Sequence, residues 1–183
     1  MADNKVKFGL SNVYYSVWDE STDTYDTPVA WPGAVNLSLD AQGDTTNFRA
    51  DNIDYYVSVS NAGYSGSLES ALIPESFRID VMKEVADKTS GIVVEKADAK
   101  PAQFALMFQF EGDQSNTRHI LYNSKATRPA VASQTTETSI TPVTETVNLV
   151  ASARAQDKIV KGRCKEGDAG YSTFFTQVDV PKV

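Results

Sequence analysis

Apolar and polar residues alternate along several stretches of this chain, which is the period expected of β-strands with one buried face. Between residues 102 and 111, phenylalanine and leucine occupy the even positions from 104 onward, and glutamine and glutamate recur at the odd ones. The same period predicts further strands over residues 5–18, 35–39, 63–73, 92–94, 118–126, 143–154 and 171–178. The chain is therefore predicted to be mainly β. Gly63 and Gly66, at the start of one of these strands, predict a close backbone approach or a bulge.

One helix is predicted, from Glu75 to about Lys88. Pro74 suits a first helical turn, and Phe77, Val81 and Val85 recur every fourth residue to form one apolar face. Such a face usually covers a sheet, although a partner-binding helix is the alternative. The predicted fold is a two-sheet sandwich or flattened barrel with one flanking helix, all within a single domain of residues 1–183.

A long polar segment from Asp40 to about Ser58 interrupts the strand pattern. Connections beyond roughly 12–15 residues without their own secondary structure are usually functional or disordered. The pair Tyr55–Tyr56 forms strands readily, and this favours order. We expect a long β-arm that contacts a neighbouring subunit; a hairpin folded back on its own domain is the alternative.

Composition excludes several classes of function. The 183 residues are 41% apolar and 22% charged, with a net charge of −7, as in an ordinary soluble domain. No basic block is present to neutralise phosphates, which disfavours non-specific DNA binding. No run of residues reaches the roughly 20 apolar positions of a membrane span. The single cysteine, Cys164, cannot form an internal disulfide.

Residues with catalytic chemistry are sparse. The only histidine, His119, lies in the middle of a predicted strand, and the sequence gives no reason to bring Cys164 near it. Glu111 and Glu145 could form a glycosidase pair, but acidic pairs occur by chance among 24 carboxylates. The acidic loop 19–27 lacks the glycine and glutamate that a calcium loop requires. We therefore predict no enzyme activity, no cofactor and no metal.

A series of short motifs runs in order along most of the chain. They are Val6–Leu10, Pro32–Val35, Leu37–Asp40, Gly43–Asp44, Ala50–Asn52, Tyr55–Tyr56, Asn61, Gly63–Tyr64, Gly66, Leu68–Glu69, Ala71–Pro74, Ala97–Pro101, Phe104–Phe108, Arg118–His119, Asn123, Arg128–Pro129 and Thr144–Thr146. In this order they resemble the major tail protein of long non-contractile-tailed bacteriophages, the siphovirus type, which builds the tail tube.

The resemblance implies a structural virion protein. In such families, subunits form hexameric rings whose inner strands join into one continuous β-barrel, and stacked rings form the conduit for DNA ejection. The implied partners are further copies of the chain and the tape-measure, tail-terminator and baseplate-side tail proteins. DNA would pass through without specific binding, and no membrane is involved. The implied location is the virion tail tube, assembled in the host cytoplasm.

Two sets of residues follow as site candidates. The inter-ring arm is expected to act through Asp40, Gly43, Asp44, Phe48, Tyr55 and Tyr56. The polar sides of three strands are expected to face the lumen through Ser65, Ser67, Glu69, Gln103, Gln109, Glu111, Thr144, Thr146 and Asn148. Two alternatives remain open: a β-sandwich binding or decoration module of a virion, and the tube protein of a contractile tail or secretion system.

Overall fold

The computed structural model of the protein describes residues 6, 8–135 and 142–181. Within these residues, thirteen strands and one short helix confirm the mainly β class. In chain order they are β1 (Leu10–Asp19), β2 (Thr24–Tyr25), β3 (Val29–Ala30), β4 (Ala34–Gln42), β5 (Thr45–Ala50), β6 (Ile53–Val59), β7 (Gly63–Ser70), α1 (Glu75–Asp80), β8 (Val85–Ala86), β9 (Val93–Val94), β10 (Phe104–Phe110), β11 (Arg118–Ala126), β12 (Glu145–Ser152) and β13 (Lys161–Cys164).

Nine strands share one antiparallel sheet. The path runs β2-β1-β10-β11-β12-β7-β4, with β3 beside β1 and β13 beside β11. Strand β11 pairs with β12 through its C-terminal half and with β13 through its N-terminal half. The sheet curls until β1 approaches β4, but no hydrogen-bonded pairing of the described strands closes it into a barrel. Strand β4 therefore ends the path.

The main core lies inside this curl. Alternate residues of β10 and β12 point into it, as the sequence period predicts, together with side chains from β1, β7 and β11. Phe77 of α1 is fully buried at its centre, with its ring centroid 5.2 Å from that of Tyr15 and 4.4 Å from that of Trp31. Burying each such aromatic side chain contributes about 1.5–3 kcal/mol. The helix thus covers one side of the curled sheet.

The helix is shorter than the predicted span of residues 75–88, and that prediction is corrected to Glu75–Asp80. Phe77 and Val81 are buried as predicted, but Val85, the third member of the apolar stripe, is 46% exposed. Lys83 adopts a left-handed φ of 61°, which ends the helical path, and Val85 then pairs with Val94 of β9. No helix of the described chain is long and apolar enough to span a membrane.

The predicted strand at residues 171–178 is wrong. Residues 165–181, here called the C-terminal segment, contain no strand, and residues 166–177 form consecutive turns and bends instead. The Tyr171 amide donates to the Asp168 carbonyl, and the Thr176 amide donates to the Thr173 carbonyl. Aromatic side chains suit strands by propensity, but here Phe174 and Phe175 pack from the turns onto the outer face of the sheet. The last strand of the described chain is β13.

Candidate assembly surfaces

One polar surface, here called the open polar face, covers the outer side of β4, β7 and β12. The strand register aligns its side chains in rows across the three strands. Its members are Asn36, Ser38 and Asp40 of β4, Ser65, Ser67 and Glu69 of β7, and Thr146, Asn148 and Val150 of β12. In the last row, Lys125 of β11 lies beside Val150. Apart from one valine, this surface is suited to contact with water.

The opposite side of the same three strands is apolar and faces the core. Leu37, Leu68 and Val147 form one aligned row, and the next row contains Gly66 between Leu39 and Leu149. A Cβ on Gly66 would lie 1.8 Å from the Ser38 carbonyl oxygen. The predicted close backbone approach at this glycine is therefore confirmed.

The predicted lumen residues divide into two groups. Ser65, Ser67, Glu69, Thr146 and Asn148 lie together on the open polar face. A further member, Thr144, precedes β12, and its hydroxyl donates to the Glu69 carboxylate at 2.6 Å. The predicted residues Gln103, Gln109 and Glu111 lie apart from these, along or just beyond β10.

Gln109 requires a correction, because it is only 8% exposed and cannot face a channel in this conformation. Its side-chain oxygen accepts a hydrogen bond from the Asn12 amide at 3.2 Å. The sequence pattern suggested that β10 has one polar side, but Ala105 and Met107 on that side are fully buried against the C-terminal segment. Both faces of β10 are therefore covered within one chain.

Charge on the open polar face is sparse. Asp40 and Glu69 are its carboxylates, and Lys125 lies at its border. Arg154, which follows β12, is buried beside the ring of Trp18 and lies 3.3 Å from a carboxylate oxygen of Asp157. The face is therefore weakly acidic. The sequence analysis missed Asn36 and Ser38, although the alternation continues through β4.

The predicted arm is an ordered β-hairpin formed by β5 and β6. It continues the β4–β7 ribbon, because the Ser60 amide donates to the Asp44 carbonyl at 2.9 Å and the Asp44 amide donates to the Ser60 hydroxyl at 2.8 Å. At Gly43 a Cβ would lie 2.0 Å from the Ser60 carbonyl oxygen. Asp40, predicted as part of the arm, belongs instead to the main sheet, where it pairs with Ser65.

The hairpin exposes apolar side chains. Every residue of β5 and β6 is exposed except the partly buried Ala50, so the hairpin does not fold back on its own domain. Phe48 and Tyr56 lie opposite each other and are 61% and 62% exposed, and Tyr55 is 68% exposed. The connecting residues Asp51 and Asn52 both have positive φ, as in a type I′ turn. This ordered surface has the composition of an interaction site.

The residues with catalytic chemistry have structural roles. The Glu145 carboxylate accepts from the Ile73 amide at 2.6 Å and from the Arg78 guanidinium at 3.0 Å. The His119 ring stacks on Phe108 at a centroid distance of 5.3 Å. Burial raises the pKa of the Cys164 thiol, which is opposite to the shift that a nucleophile requires. No group of three metal-ligating side chains occurs in residues 6, 8–135 and 142–181.

Comparison with known proteins identifies the fold type. No protein-family model and no curated protein matches the chain. The chain is similar to a chain in the cryo-EM structure of the tube-terminating cap of the anti-feeding prophage, with a TM-score of 0.52 and 12% identity over 90% of this chain and 96% of that chain. The protein therefore has the same fold as that chain of the tube-terminating cap.

Two other solved structures are also similar to the chain. One is the PVC sheath–tube complex of an extracellular contractile injection system in its extended state, with a TM-score of 0.49 and 13% identity over 88% of this chain and 93% of that chain. The other is the six-fold symmetrised baseplate of the anti-feeding prophage, with a TM-score of 0.47 and 14% identity over 90% of this chain and 97% of that chain. The likeness to the cap supports a tube-type fold, and not specifically the long non-contractile phage tail.

Proposed function

We propose that this chain is a structural subunit that self-assembles into stacked rings, forming the tube of a phage-type tail. The observation that carries the proposal is the open polar face, which lies on one side of a sheet whose other side is packed core. The likeness to a tube-terminating cap supports the same role. The function is assembly, and the chain has no catalytic task.

Ring formation follows from the edge of the sheet. Strand β4 pairs with β7 on one side, and no strand of the described chain pairs with its other side. An exposed edge of nine residues favours pairing with another chain. In the proposed ring of six copies, the sheets join head to tail, and rotation closes the contact. Ring closure would thus extend the open polar face into a continuous inner wall.

The chemistry of this wall suits a conduit. Hydroxyl and amide side chains keep it hydrated, and the few carboxylates, such as Asp40 and Glu69, do not bind phosphate. Because the face is weakly acidic, with Lys125 at its border as the one cation of its described rows, the wall would let DNA pass without holding it. The tube would lie in the virion, in contact with tape-measure, terminator and baseplate-side proteins.

A second candidate is a tube or cap subunit of an injection system. The structural likeness to the cap of the anti-feeding prophage favours it. Both candidates use the same ring, inner wall and hairpin. The two candidates differ in what passes through the tube, because a phage tail carries DNA. Purification of the native particle, followed by nuclease treatment and detection of encapsidated DNA, would separate them.

Negative-stain microscopy of the purified chain at high concentration tests the shared proposal. We expect rings or tubes with a stain-filled lumen, and a ring mass of 6 × 19.9 kDa, about 119 kDa, by light scattering. A deletion of residues 45–59 retains Asp44 and Ser60, which bond to each other. This variant should fold but should not form tubes. Lone monomers of the intact chain at every concentration would contradict the proposal, and normal tubes from the deletion would exclude the role of the hairpin.

A further inference from the structure

The curled sheet leaves a pocket of about 330 Å³ beside the core, and its lining combines apolar side chains with Ser38, His119 and Lys161. Leu37, Leu39 and Tyr64 line one wall, and Phe108 and Phe110 line the other. A pocket of this size and composition can receive one or two apolar side chains.

The rim of the pocket includes the start of β13. Strands β12 and β13 follow one another along one edge of β11, β12 beside residues 123–126 and β13 beside residues 118–121. The Lys161 ammonium, at the start of β13, donates to the Tyr64 hydroxyl at 2.9 Å and lies 4.6 Å from the centre of its ring. Among the described residues no carboxylate lies within ion-pair distance of Lys161. The rim therefore carries a positive charge.

The exposed hairpin has complementary features. Phe48 and Tyr56 project as an exposed cross-strand pair, and aromatic anchors of this kind dominate many interfaces. The hairpin also carries three carboxylates, Asp44, Asp51 and Asp54, and one arginine. Its net negative charge complements Lys161 and the exposed Arg163 of β13.

The hairpin of the same chain cannot fill this pocket. The pocket wall contains Leu39 and Tyr64, which lie at the base of the hairpin. The two strands run outward from this base for six and seven residues, which is roughly 20 Å at about 3.3 Å per residue. Folding back would break the hydrogen bonds at Asp44 and Ser60 that make the ribbon continuous. The occupant must therefore come from another chain.

We infer that the hairpin of one copy docks with Phe48 and Tyr56 in the pocket of a second copy. Each copy then offers one hairpin and one pocket, which is the head-to-tail arrangement that generates rings or continuous stacks. Because it names the contact that joins the copies, this inference rests on the proposed function. Lys161 positions the acidic hairpin at the rim.

Photo-crosslinking tests the contact directly. Benzoylphenylalanine replaces Phe48 in one isotopically labelled copy, which is mixed with unlabelled protein and assembled before irradiation. We expect crosslinks between labelled and unlabelled chains that map to residues 37–39 or 108–110. The matched control places the same group at Ile92, which is also exposed, and should give no crosslink to these residues. Assembly with crosslinks elsewhere would overturn only this inference, whereas failure of the unmodified chain to assemble would overturn the proposed function as well.

A charge variant provides an independent measurement. Lys161→Glu should raise the protein concentration required for assembly at least tenfold, because it reverses the charge at the rim. Lys88→Glu, at an exposed position in the turn between β8 and β9, is the matched control and should change this concentration less than threefold. Denaturant unfolding verifies that both variants fold. Equal effects of the two substitutions would overturn the inference.

Discussion

The outer side of the sheet has two halves that differ in their exposure to water. Over β4, β7 and β12 it is the open polar face, which remains accessible to water. Over β10 and β11 it is apolar, and Ala105, Met107, Ile120 and Tyr122 are buried beneath the chain's own C-terminal segment. We call this second half the covered apolar face. Within one chain, the outer side of the sheet is therefore buried over β10 and β11 and accessible to water over β4, β7 and β12.

Specific contacts hold the cover in place. Phe175 stacks on Tyr14 at a centroid distance of 4.7 Å, and the Arg118 guanidinium lies 3.7 Å from the ring centre of Tyr171. The Tyr122 hydroxyl donates to the Asp179 carbonyl at 3.0 Å. The open polar face has no comparable cover among the described residues. Only the open polar face is therefore available for an inner wall.

The difference in burial between the covered apolar face and the open polar face is tested by introducing one lysine into each. Met107→Lys would bury a cation in the fully enclosed centre of β10 and should lower the free energy of unfolding by more than about 3 kcal/mol. Asn148→Lys, at an exposed position in the middle of β12, should change it by less than about 0.5 kcal/mol. Urea unfolding followed by fluorescence measures both. A small effect of Met107→Lys would show that the face over β10 is accessible.

The alternation in the sequence predicted where the strands lie better than it predicted which of their faces are exposed to water. Strands β10 and β12 alternate alike in sequence, and alternate side chains within both strands point into the core as predicted. What covers β10 depends on residues 165–181, which lie far away in the chain and contact it only after folding. Period alone cannot reveal that contact. For this reason the alternation predicts that Gln109 faces the lumen, although Gln109 is buried.

Local signals explain the other successes and errors. The long segment after Asp40 was predicted to be an ordered arm, and the structure shows a protruding hairpin. The predicted length of the helix was wrong, because the i+4 spacing continues to Val85 although Lys83 leaves the helical conformation. The alternation through β4 already indicates that Asn36 and Ser38 share one polar side of this strand, but only the pairing of β4 with β7 places that side in the open polar face. Which neighbour the hairpin contacts remains a prediction.

High pH should weaken the covered apolar face, which contains one of several buried tyrosines that release a proton on unfolding. Burial raises the pKa of Tyr122 to about 12, whereas an unfolded tyrosine titrates near 10. The folded state therefore retains a proton that the unfolded state releases, so this stabilisation is complete below pH 10 and is lost as the pH rises to about 12. The shift corresponds to roughly 2–3 kcal/mol.

The variant Tyr122→Phe tests the origin of this pH dependence. It loses the hydrogen bond to Asp179 and about 1 kcal/mol at neutral pH, but its stability should fall less steeply between pH 10 and 12. Tyr15, whose pKa burial also raises to about 12, remains in the main core and still titrates. Urea unfolding at several pH values gives the two profiles. Parallel profiles would show that the covered face does not cause the loss.

The open half should tolerate changes on its wet side but not on its core side. In Gly66→Ala, the added Cβ would lie 1.8 Å from the Ser38 carbonyl oxygen and 3.0 Å from the Leu39 Cα, so β4 must move away from β7. We expect the free energy of unfolding to fall by about 2 kcal/mol. Ser67→Ala, one residue away on the open polar face, should change it by less than about 0.5 kcal/mol. Denaturant unfolding compares the pair, and equal losses would mean that the two sides of β7 do not differ in packing. Since β4 is also the edge strand, Gly66→Ala should impair ring formation even under conditions in which the monomer stays folded.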